Sequence, residues 1–165
     1  PNDFLARKAL AETQYRAGQL QAARQSYATA LAQVPDDAVM LNNYANLLQQ
    51  LNDPIAQETA EKALALDPEN SSYADTLGWI LVRKGQVDAG LRHLREARLR
   101  SPENAEIRFH LAYALTKSGR SNEAREELLA ALPASSGLPE SELARIFHKT
   151  GRISLNPLIK LGLRQ

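Results

Sequence analysis

Pro35-Asp36-Asp37, Pro68-Glu69-Asn70 and Pro102-Glu103-Asn104 are three copies of one signal: a proline, an acidic residue, then Asp or Asn. Pro1-Asn2-Asp3 is a fourth, less regular copy, and the prolines lie 34, 33 and 34 residues apart. Proline ends a helix, and Asp or Asn caps the next one by accepting its unpaired N–H groups. A fixed period in this range marks an array of one small unit rather than a single irregular domain.

Working outward from the prolines, further columns keep the same period. Small residues recur as Ala11, Ala45, Gly78, Ala112, as Ala23, Ala56, Gly90, Ala124, and as Ala30, Ala63, Ala97, Ala131. Large apolar residues precede the first column: Leu10, Tyr44, Leu77, Leu111. A turn column reads Gly18, Asn52, Gly85, Gly119, the residue types that take the left-handed conformation closing a helix. The columns predict two amphipathic helices per unit: a first helix over 4–17, 37–51, 71–84 and 105–118, and a second over 20–33, 54–66, 87–100 and 121–132. The second unit is one residue short, with only Asp53-Pro54-Ile55 between turn residue and small residue. Asp53 is expected to cap the following helix, with Pro54 as its first residue.

This pattern resembles the tetratricopeptide repeat, a helix–turn–helix unit of 34 residues, over positions 4–132. The large aromatic common early in that repeat is replaced by Arg7, Leu41, Ala74 and Arg108. The resemblance implies an all-α, right-handed α-solenoid of about four units: 4–36, 37–70, 71–104 and 105–132. Residues 1–3 read as the end of a preceding repeat, as in a piece of a longer array. After Ala131 the period fails, and Pro139 opens an expected capping helix over 139–151 that carries Leu143, Ile146 and Phe147 on one face. The tail 152–165 holds Leu155, Leu158, Ile159, Leu161 and Leu163. It is left open between docking on the array, packing on a neighbouring chain, and sequence that is not native.

Composition narrows the chemistry. Aromatics are 5% of the 165 residues, and the formal net charge is +1, too balanced to favour nucleic acid or a membrane surface. There is no cysteine, which excludes disulfides, thiol catalysis and cysteine–zinc sites. No apolar run is long enough to span a bilayer, and no signal peptide is visible. Of His93, His110 and His148, only His110 has a potential ligand at helical spacing, Glu106. Two ligands do not make a zinc site. No cofactor, metal or catalytic residue is expected. Arg92, His93, Arg95, Arg98 and Arg100 form a basic run that reads as a solvated helix face.

In the family the first helices line a concave groove. The resemblance therefore implies inner positions at Lys8, Glu12 and Tyr15 in the first unit and Asn42, Asn43 and Asn46 in the second. In the third and fourth units they fall at Asp75 and Trp79, then Phe109 and Tyr113. Amides can pair with an extended peptide backbone, and exposed aromatics anchor interfaces. Chaperone-binding members grip a C-terminal carboxylate with a clamp of lysines, an arginine and asparagines. Lys8 and Asn43 match it, whereas Glu12, Ser72 and Thr76 depart from it, so such a co-receptor is not expected.

The stretches Ala74-Asp75-Thr76-Leu77-Gly78-Trp79-Ile80-Leu81 and Ala105-Glu106-Ile107-Arg108-Phe109-His110-Leu111-Ala112 are similar to bacterial repeat proteins associated with exosortase and exopolysaccharide systems. That likeness implies a periplasmic or outer-membrane-associated scaffold, in relatives that are often lipoproteins. The expected function is a non-catalytic scaffold that binds a protein segment in the groove. Two alternatives stand beside it. One is a spacer that self-associates through array ends or 152–165. The other is a regulatory array fused to an enzyme elsewhere in a longer protein.

Overall fold

The computed structural model describes residues 4–131. They form eight helices, with no strand among the described residues: α1 (Phe4–Arg16), α2 (Leu20–Leu31), α3 (Ala38–Gln50), α4 (Ala56–Leu66), α5 (Ser71–Arg83), α6 (Val87–Arg100), α7 (Ala105–Lys117) and α8 (Ser121–Ala131). The expected capping helix 139–151 and the tail 152–165 lie outside the described residues.

Helix starts and stops follow the sequence signals. Asp37 accepts from the Met40 N–H at 2.9 Å, Asn70 from Ser72 at 3.1 Å, and Asn104 from Glu106 and Ile107 at 3.0 and 3.1 Å. The turn column closes α1, α3, α5 and α7 in left-handed geometry, with φ of 72° at Gly18, 54° at Asn52, 83° at Gly85 and 79° at Gly119. The residue after each turns its N–H back into the helix, as in Asp53 to the Leu48 carbonyl at 2.8 Å and Gln86 to the Leu81 carbonyl at 2.9 Å.

The restart in the short unit differs from expectation. α4 begins at Ala56, not at Pro54. Asp53 accepts from the Ile55 N–H at 3.1 Å and its carbonyl from the Ala56 N–H at 3.2 Å, so residues 53–55 make a tight turn before the first α-helical bond, Thr59 to Ile55. With one residue fewer, the chain must reverse faster, and a three-residue turn replaces the first helical turn.

Helices pack as two compact units divided after Arg100. In the first, α1–α2, α3–α4 and α5–α6 are antiparallel hairpins; α2 lies on α3, α4 on α5, and the first helices α1, α3 and α5 lie side by side. One core runs through this unit, from Ala11, Ala23 and Tyr27 through Met40, Tyr44 and Leu48 to Leu77 and Leu81. Tyr27 and Tyr44 stack obliquely with centroids 5.7 Å apart. Each fully buried Met or Leu here contributes about 1.5–3 kcal/mol. Leu10 is 50% exposed although its repeat equivalents Tyr44 and Leu77 are 7% and 4% exposed. No described element covers the side of α1 that corresponds to the α2-facing side of α3.

In the second unit α7 packs on α8. Arg108 occupies the place where the repeat family commonly has an aromatic. It is buried, donating to the Pro102 carbonyl at 2.6 Å and to Glu127 of α8 at 2.7 Å.

Candidate functional site

The first helices of the larger unit are tied edge to edge by side chains. Lys8 of α1 meets Asp37, the cap of α3, at 2.6 Å. Gln50 of α3 donates to the Tyr15 hydroxyl at 2.6 Å. Asn46 of α3 donates to the Thr76 hydroxyl of α5 at 3.3 Å. This polar ladder lies along the face read from sequence as the binding surface. It changes the reading of three expected contact residues, and burial that of a fourth. Lys8, Tyr15 and Asn46 each spend part of their hydrogen-bonding capacity on the neighbouring helix. Asn42 is buried, with Oδ1 accepting no hydrogen bond among the described residues.

Burial removes two more from the accessible set. Asp75 is 7% exposed, in the middle of α5 where nine of thirteen residues are buried. Phe109 is 1% exposed and its ring lies 5.8 Å from that of His110. The expectation of an exposed aromatic anchor at Phe109 is corrected: its position on α7 is a core position, next to buried Arg108 and Ile107.

Glu12, Asn43 and Trp79 are partly exposed on the α1–α3–α5 face and take no part in the ladder, whereas Lys8, Tyr15 and Asn46 are partly exposed and belong to it. The Asn43 side chain makes no hydrogen bond among the described residues. The Arg83 guanidinium carbon lies 5.6 Å from the Trp79 ring centroid, within cation–π range. In the second unit, Tyr113 is partly exposed and Lys117 Nζ sits 5.3 Å from its ring.

Charge is locally managed. Burial alone would raise the Asp37 carboxyl, but the Lys8 hydrogen bond, the Met40 N–H and the Lys8 charge outweigh it and hold the group below its usual range. The Asp53 carboxyl is also lowered, first by the Ile55 N–H, then by Arg24 of α2, which donates at 2.7 and 3.1 Å. In the basic run, Arg100 is structural: it donates to the Pro68 carbonyl at 3.0 Å and pairs with Glu96 at 2.7 Å. His93 is lowered by burial. Among the described residues no cluster of three His, Asp or Glu is placed to hold a metal, and no helix is long and apolar enough to cross a membrane.

A further feature was not read from the sequence. Between the α3–α4 turn and the last turn of α5 lies an open cleft of about 200 Å³. Gln49, Asn52, Asp53, Pro54 and Ala56 line it from α3, the turn and the start of α4, and Ile80, Arg83 and Lys84 from α5 and its end. The short unit's turn forms part of the lining, through Asn52, Asp53 and Pro54.

The paired helices, left-handed turn column and small-residue crossings define a helical-repeat protein. The tetratricopeptide repeat family model matches residues 8–71 and 76–139, and the chain belongs to that family. It is 34% identical over 83 residues to a TPR repeat-containing protein of Pseudomonas aeruginosa, a match covering 49% of this chain and 14% of that relative's length. A thermophilic TPR protein of Thermus thermophilus shares the fold, with TM-score 0.79 and 23% identity over 96% of this chain and 87% of its own. An O-GlcNAc transferase of Thermobaculum terrenum matches with TM-score 0.71 and 27% identity over 80% of this chain and 25% of its own. Tetratricopeptide repeats generally serve as protein-interaction scaffolds.

Proposed function

We propose that this chain is a non-catalytic scaffold that holds an extended protein segment along the α1–α3–α5 face. The observation that carries this reading is Trp79. It is the chain's single tryptophan, it is partly exposed, and it lies on α5, which packs beside α3, the helix that carries the partly exposed Asn43. An aromatic anchor on a face that also carries the uncommitted amide of Asn43 suits a segment held by one apolar side chain and by its backbone. The ladder that joins α1, α3 and α5 supports the reading by fixing these helices relative to one another, which lowers the ordering cost of binding.

An envelope or exopolysaccharide-export setting, periplasmic or at the outer membrane, is the finer part of this proposal. Its support is the likeness of residues 74–81 and 105–112 to such repeat proteins. The likeness to part of an O-GlcNAc transferase keeps a second reading, an array joined to an enzyme in a longer protein.

The test is a cross-linked pull-down from lysate of the source organism. Baits are this chain and its Trp79→Ala/Asn43→Ala variant, with circular dichroism confirming equal helicity. The expected result is a defined partner lost with the variant. Equal recovery by both baits would remove the face from the function.

A further inference from the structure

The cleft at the α3–α4 turn has walls of distinct chemistry. Its acidic residue is already spent: Asp53 is only 13% exposed, turned toward Arg24 on α2 and bonded to the Ile55 N–H of its own turn. The opposite wall is cationic. Arg83 is held over Trp79, and Lys84 donates to Gln57 of α4 at 2.7 Å, leaving the other two ammonium donors of an exposed lysine. Ile80, 1% exposed, gives an apolar floor. Gln49 and Asn52 add amides that can both donate and accept.

We propose that this cleft seats the carboxylate side chain of a Glu or Asp within an extended segment of a partner protein. The side-chain stem rests on Ile80, and the carboxylate meets Arg83 and Lys84. Gln49 and Asn52 pair with the partner backbone where it continues on either side of the acidic residue, which is why the occupant is an internal side chain rather than a chain end. The volume of about 200 Å³ accommodates one such side chain and little more. The site lies at the ends of α3 and α5, away from positions 8, 12, 43, 72 and 76 that correspond to the carboxylate clamp of chaperone-binding relatives. This inference deepens the proposed function and rests on it, since the same segment would continue from Trp79 beside Arg83.

The probe is a phage-displayed random dodecapeptide library selected on the full chain, followed by synthetic peptides measured by fluorescence polarisation. Enriched sequences are expected to share an acidic residue. Its change to Gln, and Lys84→Gln or Arg83→Gln in the protein, should each weaken binding about tenfold, the worth of one charge-assisted contact. Lys84→Gln is the cleaner variant because Arg83 also touches Trp79. Enriched peptides without an acid, or affinity unchanged by Lys84→Gln, would overturn the proposal. Binding that requires only a free C-terminal carboxylate would overturn it as well. Binding lost in Trp79→Ala but kept in Lys84→Gln would sink the cleft while sparing the α1–α3–α5 face; the reverse would spare the cleft alone. No enrichment would count against both.

Discussion

In the small-residue columns the α3–α4 pair carries Ala45 and Ala56, buried to 0% and 3% exposure, whereas the α5–α6 pair carries Gly78 and Gly90, which meet. A Cβ on Gly90 would lie 2.5 Å from Val82 Cγ2 and 2.6 Å from the Gly78 carbonyl oxygen, and one on Gly78 would lie 2.7 Å from Leu94 Cγ. So α5 and α6 meet backbone to backbone, while α3 and α4 carry buried alanines at the equivalent positions of the repeat. The same small column thus covers two packing solutions. The glycine seam is held by close contact. The α3–α4 pair, with its shortened turn, is bound to its neighbours by charges, Lys8–Asp37 and Arg24–Asp53, and it is the pair beside which the cleft opens.

The seam gives the largest expected effect. Gly90→Ala gains helix propensity of about 1 kcal/mol, but overpacking a tight crossing costs roughly 1–3 kcal/mol. The backbone oxygen at 2.6 Å cannot rotate away, so the variant should be net destabilised, read as a lower urea midpoint. Gly78→Leu adds more atoms at the same crossing and should lose more. The opposite change in the α3–α4 pair, Ala56→Gly, should cost about 1 kcal/mol, through the lost buried methyl and the added backbone freedom. A raised midpoint for Gly90→Ala would break the distinction between the two crossings.

The charged side of the comparison is tested at Asp37. Asp37→Ala removes a helix cap and the Lys8 bridge, an expected loss of about 0.5–2 kcal/mol. α5 is capped instead by Asn70, which does not titrate. Asp37 and Asp53 both sit below the usual carboxylate range in the folded chain. Their contribution is therefore complete above an unfolded value of about 3.9 and is lost as pH falls through the lower folded values. The urea midpoint should drop below about pH 4, and Asp37→Asn should keep the cap while flattening that slope.

Tyr27 gives a smaller effect of opposite sign. It packs on Tyr44 of α3 with its hydroxyl buried and without a hydrogen-bond partner among the described residues. Burial pushes its pKa up to about 12. Its preference for the neutral form stabilises the fold fully below an unfolded value of about 10 and is lost as pH rises from there toward about 12. Tyr27→Phe should stabilise by about 1 kcal/mol at neutral pH, since an unpaired buried hydroxyl is removed. It should also weaken the alkaline transition followed by circular dichroism.

Much of the helical framework was legible because caps, turns and small crossings are local and periodic. Every helix assigned from the columns is present, with ends shifted by two residues at most, and the shift at α4 comes from the shortened turn. The surface was less legible. Lys8 with Asp37 and Arg24 with Asp53 are each 29 residues apart, a spacing set by neighbouring units and not by any one helix. Phe109 and Trp79 belong to different columns of the repeat. Phe109 is equivalent to Asp75, and both are buried, while Trp79 is equivalent to the partly exposed Tyr113. The repeat register, applied column by column, separates these two pairs where a helical wheel does not.

Asn52 closes α3 at φ 54° where α5 uses Gly85 at φ 83°. Asn is among the few side chains that take this geometry at small cost, so Asn52→Gly should change stability by no more than about 0.5 kcal/mol. Asn52→Ala should lose about 1 kcal/mol, because alanine bears the same Cβ penalty in the left-handed turn without the local polar side chain that offsets it. The glycine variant is the informative one. It gives the α3–α4 turn the backbone freedom of the α5–α6 turn and removes an amide from the cleft wall. If the turn serves only to reverse the chain, melting and peptide binding should both stay unchanged. Melting held constant with weakened binding of the acidic peptide would show that the short turn is shaped for its side chain as well as for its geometry.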